Sequence, residues 1–426
     1  MSRISNHLLP DSAEVVKGRL HIGACDVSDL AVQLGTPLFL YDEAHLRTRC
    51  AEAVRAFGAD TVIYATKAFL CTAMAQLAHE EGLLLDVATG GELFVALKAG
   101  VPAARCVMHG NNKSVVELRE AMNARVRHIV VDSFDEMDRI DQLVAQGAPV
   151  PKVQLRITPG VYVHTHEFVS TGQNDSKFGF NLGNGDAQRA IDRARSSGSV
   201  QLVGIHCHIG SNVFETANFT KAAEVMVDFA NQCELPELTL GGGLGVAYLN
   251  DEHAPSITEW ATALQAATRS LRAGTKVFVE PGRAIVAAAA ITLYEVGTIK
   301  PIPNLRTYVA VDGGMSDNPR PVLYGSGYEA FVPSRCESDR TLAIRLVGKH
   351  CESGDVLIAE ASLPADLQVG DVIATPVTGA YGHSMGSNYN KVPRPAVAFV
   401  RDGTARVVVR RETYDDLVRN DVTDSV

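Results

Sequence analysis

The chain has 426 residues, of which 46% are hydrophobic and 21% charged. This is ordinary globular composition and excludes wholesale disorder. Its 39 Lys and Arg against 49 Asp and Glu give a net charge of −10, which argues against nucleic acid or a membrane surface as the main partner.

No stretch approaches the roughly 18 apolar residues of a membrane span. The nearest, Ala284 to Val296, is too short and reads as strand-forming. The first 16 residues lack the apolar segment of a secretory signal. None of the eight cysteines forms a Cys-x-x-Cys pair, so free thiols in a reducing cytoplasm are expected.

At roughly 150 residues per domain, the length suggests two to three domains, or a large barrel with a smaller partner. From residue 36 to 290 one rhythm repeats. Eight β-rich runs appear at Thr61–Ala65, Leu83–Val87, Arg105–Met108, His128–Val131, Val153–Ile157, Leu202–Ile205, Leu238–Leu240 and Lys276–Val279. Stretches of helical period, such as Glu92–Ala99, Val115–Ala124 and Phe134–Val144, lie between them. Alternating strand and helix predicts parallel strands with crossover helices, and eight units predict a closed (β/α)8 TIM barrel. An open doubly wound sheet is the alternative, but no Gly-x-Gly-x-x-Gly turn follows the first run.

From residue 291 to 426 the pattern changes to short β-rich runs separated by Gly, Pro and Asp: Ile291–Val296, Thr307–Val311, Thr341–Leu346, Asp371–Thr375, Ala396–Val400 and Ala405–Val409. This predicts a mostly antiparallel β domain, completed by residues 1–35 and their run at Leu20–Ile22. The run Leu38–Tyr41 is expected to join it too.

In such a barrel, chemistry sits where the strands end. Run one ends in Lys67, run six in His206-Cys207-His208-Ile209-Gly210-Ser211, run seven in Gly241-Gly242-Gly243, and run eight in Glu280-Pro281-Gly282-Arg283. The three glycines let bare backbone approach an anion, or simply make a tight turn. Lys67 is a candidate nucleophile towards a carbonyl, or a solvated rim lysine. A reactive lysine beside a phosphate cradle suggests pyridoxal 5'-phosphate (PLP). Glu280 could meet a pyridinium nitrogen or pair with Arg283. His206 and His208 are spaced i, i+2, so on a strand they share a face, and His164-Thr165-His166 repeats the spacing. That spacing also serves metals, but no further ligands stand at an obvious strand end apart from Glu280. No metal is expected, and His208 suits stacking on a flat cofactor.

The strand-end motifs resemble those of the fold-type III, alanine-racemase-like PLP decarboxylases. The second domain continues the likeness with Val311-Asp312-Gly313-Gly314-Met315, Arg320-Pro321-Val322-Leu323-Tyr324, Cys351-Glu352-Ser353-Gly354-Asp355 and Gly379-Ala380-Tyr381-Gly382. These resemble the diaminopimelate decarboxylase family in particular. The resemblance implies PLP as a Schiff base on Lys67, His208 against its ring and Glu280 at its pyridine nitrogen. Ser211, Gly241, Gly242, Gly243, Pro281, Gly282, Arg283 and Tyr381 would lie around the cofactor, with Arg283 and Tyr381 near the substrate as well. Cys351 would be the acid that returns a proton after CO2 leaves. Arg320, Tyr324 and Glu352 would hold the distal amino-acid end of the substrate.

The reaction implied is decarboxylation of meso-2,6-diaminopimelate to L-lysine, the last step of lysine biosynthesis. It would run in a cytoplasmic homodimer with shared active sites. A planar Arg320 fork suits a carboxylate, and Glu352 suits an ammonium; lysine and ornithine offer no such second amino-acid end. A decarboxylase of another diamino acid or of a carboxylated polyamine is the alternative on the same fold. After Tyr324, Gly325-Ser326-Gly327-Tyr328 departs from the family pattern.

Overall fold

The computed structural model describes residues 4–161 and 175–422. The His164-Thr165-His166 spacing lies outside the described residues. The chain divides into two compact units: residues 49–246 with 254–284, and residues 1–48, 247–253 and 285–426.

The first unit is the barrel. Its parallel strands are Ile63–Ala65, Leu84–Val87, Cys106–Met108, His128–Val131, Lys152–Thr158, Gln201–His206, Glu237–Thr239 and Lys276–Phe278, paired in chain order. A parallel bridge between Val62 and Val279 joins the last strand to the first. Each of the eight runs expected from sequence is one of these strands. Strands such as Ile63–Ala65, Leu84–Val87 and His128–Val131 are buried throughout, as strands covered on both faces must be. Ile63, Leu84, Val107, Val130 and Phe278 form one apolar cluster from five strands.

The helices begin where polar caps follow the strand ends. Thr89 Oγ1 accepts from the Glu92 N–H, Ser133 Oγ from Glu136, and Ser114 and Ser256 form reciprocal capping boxes with Glu117 and Glu259. Each cap satisfies an N–H that the helix leaves open and contributes about 1 kcal/mol. These caps fix where four of the helices begin.

The second unit holds an eight-stranded sheet. Its path runs Val356–Leu363, Leu342–Val347, Arg306–Val311, Ala290–Ile302, Leu38–Asp42, Ala396–Arg401, Thr404–Val409, and Val372–Pro376 pairs with Ala290–Ile302. Two of its pairs are parallel and the others antiparallel. A small sheet of Glu14–Val16, Arg19–Ile22 and Cys25–Asp26 adds to the unit. Leu20, Ile22, Leu38, Leu40, Ile291, Leu293 and Val400 share its core. The strand expected across Ala284–Val296 starts only at Ala290, because Arg283–Val286 turns once as helix. None of the eight cysteines is in a disulfide, and no described helix is long and apolar enough to cross a membrane.

Candidate active site

Lys67 stands in a single turn, Thr66–Ala68, directly after the first barrel strand. It is exposed, while Ala65, Thr66, Ala68 and Phe69 around it are buried. The turn is pinned on both sides. Thr66 Oγ1 donates to the Asp86 carbonyl at 2.6 Å, and Tyr64 Oη to that of Phe69 at 2.6 Å. The Ala65 N–H donates to the Pro281 carbonyl at 3.1 Å. A Cβ on Gly282 would fall 2.9 Å from that of Ala65, so the Pro281-Gly282 step lets the eighth strand end close on the first.

The triple glycine serves the same close packing. A Cβ on Gly241 would stand 2.4 Å from the Cys207 carbonyl oxygen, on Gly242 1.9 Å from that of Glu280, and on Gly243 2.0 Å from that of Gly210. Gly241 and Gly243 also have positive φ, 65° and 109°. Only glycine lets the ends of strands six, seven and eight come together in this way. His208 Nδ1 accepts the Gly242 N–H at 3.3 Å, which fixes the tilt of that ring. Burial and the nearby Lys67 charge hold His208 well below the usual imidazole range, so the ring is neutral. Arg283 Nη2 donates to Ser211 Oγ at 3.0 Å.

Glu280 is buried, and it meets two histidines. His206 Nε2 lies 2.9 Å from Oε2, and His109 Nε2 lies 3.1 Å from Oε1. Burial works to raise the carboxyl, but His206 and His109 hold it well below the usual carboxylate range. Cys207 beside them is pushed up to about 12 by burial and is an inert core thiol.

In the second unit, Arg320 is buried and begins the short helix Arg320–Tyr324. Its guanidinium lies over the Tyr248 ring, 4.3 Å from the centroid, and donates to Tyr328 Oη at 2.5 Å. Tyr328 lies within the segment that departs from the family pattern, and here it lines the guanidinium. Among the described residues no carboxylate pairs with Arg320. Tyr324 is half-buried at the end of the same helix. Tyr381 is half-buried too and has φ 63°, a left-handed conformation that costs a non-glycine residue on the order of 1–3 kcal/mol.

Cys351 and Glu352 are exposed on a tightly held loop. Asp355 accepts the Met315 N–H at 2.7 Å and the His350 N–H at 2.9 Å. The Cys351 N–H donates to Asn390 Oδ1 at 3.0 Å. A Cβ on Gly348 or Gly314 would strike the Asp355 carboxylate, which explains why both positions are glycine.

Lys67, His208, Ser211, the three glycines, Glu280, Pro281, Gly282 and Arg283 thus gather at one end of the barrel, while Arg320, Tyr324, Cys351, Glu352 and Tyr381 belong to the second unit. Sequence reasoning missed His109, Asp86, Glu92, Tyr248 and Tyr328. His109 directly follows the third strand, so the strand-end rule that found Glu280 would have found it. Glu92 is half-buried, and the Lys67 charge opposes the upward shift that burial gives its carboxyl.

The barrel residues fit PLP. Glu280 Oε1 is buried and lacks a hydrogen bond, an acceptor open to a pyridinium N–H, and the Lys67 amine stands at the same mouth. Residues 43–287 match the model of the family described as pyridoxal-dependent decarboxylase, pyridoxal binding domain. The chain is 46% identical to diaminopimelate decarboxylase of Bacillus subtilis over 420 residues, 95% of each chain. It is 45% identical to that of Mycobacterium tuberculosis over 425 residues, again 95% of each. The crystal structure of diaminopimelate decarboxylase from M. jannaschii in co-complex with L-lysine superposes with a TM-score of 0.90 at 32% identity, covering 97% of this chain and 98% of that one. The chain belongs to the diaminopimelate decarboxylase family of PLP-dependent decarboxylases.

Proposed function

We propose that this enzyme removes one carboxyl of meso-2,6-diaminopimelate as CO2 and releases L-lysine. The observation that carries the substrate assignment is Arg320, a buried guanidinium framed by Tyr248 and Tyr328 with no carboxylate partner among the described residues. A buried cation is costly unless an anion meets it. The distal carboxylate of diaminopimelate supplies that anion in bidentate form, and lysine or ornithine would leave the fork empty.

PLP bound at the barrel mouth supplies an electron sink for the pair left when CO2 departs. Lys67 Nζ would be the nucleophile that holds it. His208, neutral and oriented by the Gly242 N–H, would stack on the ring. Glu280 would keep the pyridine nitrogen protonated. Ser211, Arg283 and the glycine backbone, with Tyr381, would take the phosphate. Tyr324 and Glu352 complete the distal pocket, the Glu352 carboxylate accepting from the substrate's far ammonium. The Cys351 thiol delivers the proton that replaces CO2.

We infer a cytoplasmic homodimer in which the Cys351–Glu352 loop of one subunit serves the Lys67 site of the other. The exposed thiol and carboxylate on an anchored loop support this, as do eight cysteines without a disulfide. The same reading gives the cofactor to the barrel within residues 36–290 and the distal pocket to residues 291–426 with 1–35, a unit to which Leu38–Asp42 and Tyr248 also belong. CO2 and L-lysine release from meso-diaminopimelate, with and without PLP, tests the proposal.

A further inference from the structure

Glu280 is held by residues to which the family resemblance assigns no role. His206 closes the sixth strand, His109 follows the third, and Asp86 lies on the second. All four side chains are buried, with relative exposures of 1% for His206, 5% for His109, 6% for Asp86 and 6% for Glu280. The two imidazoles meet edge to face at 5.1 Å between centroids. His109 Nε2 lies 3.1 Å from Glu280 Oε1 and 3.8 Å from Asp86 Oδ1.

The tautomer of His206 follows from its partners. Nε2 faces a carboxylate oxygen, so it carries the proton, and Nδ1 is buried with no hydrogen-bond partner. An imidazolium would leave a second N–H buried and unmet, which costs about 1–3 kcal/mol. Burial lowers His206 further, so it is a neutral donor. His109 differs. Burial works against its charge, but the Asp86 and Glu280 carboxylates raise it above the usual range. Among the described residues, Arg156, His128, His208, Cys207 and Glu92 also interact with members of this cluster; His128 is driven down to about 3 by burial and stays neutral.

We propose that His206 and His109 are positioning residues for the pyridine nitrogen of PLP: His206 occupies Glu280 Oε2 and fixes the carboxylate plane, and His109, backed by Asp86, stabilises its negative charge so that Oε1 is presented as the acceptor. This rests on the PLP reading of the site. The ring nitrogen keeps its proton only while an anion faces it, and a carboxylate this deeply buried stays anionic only with such neighbours. His109 Nε2 stands close to Oε1 but off the line of a hydrogen bond, so Oε1 keeps a lone pair for the ring.

The test compares two cofactors on the apoenzyme: PLP and 1-deaza-PLP, whose ring carries C–H in place of the nitrogen. Dissociation constants are read by spectroscopic titration, without any turnover. The wild type should prefer PLP. His206→Phe should reduce that preference by about 10- to 100-fold, the range for losing a hydrogen bond to a charged group or a supporting partner of a bound centre. His206→Gln, which retains an N–H donor, should restore part of it. His109→Gln is an independent variant and should narrow the preference severalfold. If the variants weaken both cofactors by the same factor, or leave both unchanged, the positioning role is overturned. Failure of the wild type to take up PLP on Lys67 would instead overturn the cofactor reading.

Discussion

Tyr294 Oη donates to Asp317 Oδ1 at 2.6 Å, both residues being buried in the second unit. The other oxygen, Oδ2, accepts the Gly314 N–H at 2.9 Å. A Cβ on Gly313 would fall 2.3 Å from the Tyr294 ring and 2.5 Å from Asp317 Oδ2, so the Asp312-Gly313-Gly314 motif exists to let this pair close. Gly314 also borders Asp355, which anchors the loop bearing Cys351. Asp317 is therefore one residue network away from the proposed acid.

Burial pushes the Asp317 carboxyl up to about 7, with Asp312 and Asp355 adding to it against the Tyr294 and Gly314 hydrogen bonds. Its ordinary value is 3.8, so between these two pH values the native state holds a proton that the unfolded chain has lost. The stabilisation from this group is complete below about pH 4 and falls as pH rises towards 7. Between pH 5 and 8 the loss is on the order of 2–3 kcal/mol at ~1.36 kcal/mol per unit. Urea unfolding of the wild type and Asp317→Asn at both pH values should show that difference as a change in their stability gap. A gap that does not move with pH would contradict the buried acid.

Arg320→Ala should lower kcat/KM for diaminopimelate by about 30- to several-thousand-fold, since truncating one member of a buried charge pair costs roughly 2–5 kcal/mol at ~1.4 kcal/mol per decade. Cofactor absorbance should remain normal. Steady-state kinetics with unchanged kcat/KM would remove the distal carboxylate from Arg320.

Borohydride reduction followed by peptide mapping should place the pyridoxyl group on Lys67. Lys98 and Lys113 are the nearest alternatives in sequence, and label on either would contradict the site. Lys113 is a poor competitor on structural grounds: its Nζ is buried, 2.7 Å from Glu136 Oε1 and bonded to the Gly110 and Val130 carbonyls.

Most of the barrel was legible because fully buried parallel strands and capped helices leave strong local signals. The strand Val356–Leu363 was not. Its pairing with Leu342–Val347 shifts register twice, and its burial does not alternate, so the period of two is lost. Glu280 was legible as a strand-end carboxylate, but its partners were not. Arg283, three residues away, was the natural candidate from sequence, whereas the histidines that meet it come from strands six and three. From sequence the triple glycine reads as an anion cradle or a tight turn; each Cβ clash shows that close approach of strand ends already requires it. Tyr248 and Tyr328 could not be tied to Arg320 because the three meet only through the fold.

Subunit mixing tests the proposed shared site. Lys67→Ala and Cys351→Ala homodimers should each be nearly inactive. In a mixed dimer one site would regain both residues if Cys351 acts across the interface, and activity should rise to an appreciable fraction of wild type. If activity stays at the level of the separate variants, with mixed dimers present, Cys351 acts within its own chain or not at all.

The most direct measurement is CO2 release from meso-diaminopimelate by the purified enzyme, with the amino-acid product identified. The account predicts CO2 and L-lysine in equal amounts, dependent on PLP, with L-lysine and L-ornithine themselves left untouched as substrates. Decarboxylation of lysine or ornithine in preference to diaminopimelate, or no PLP-dependent CO2 at all, would contradict it.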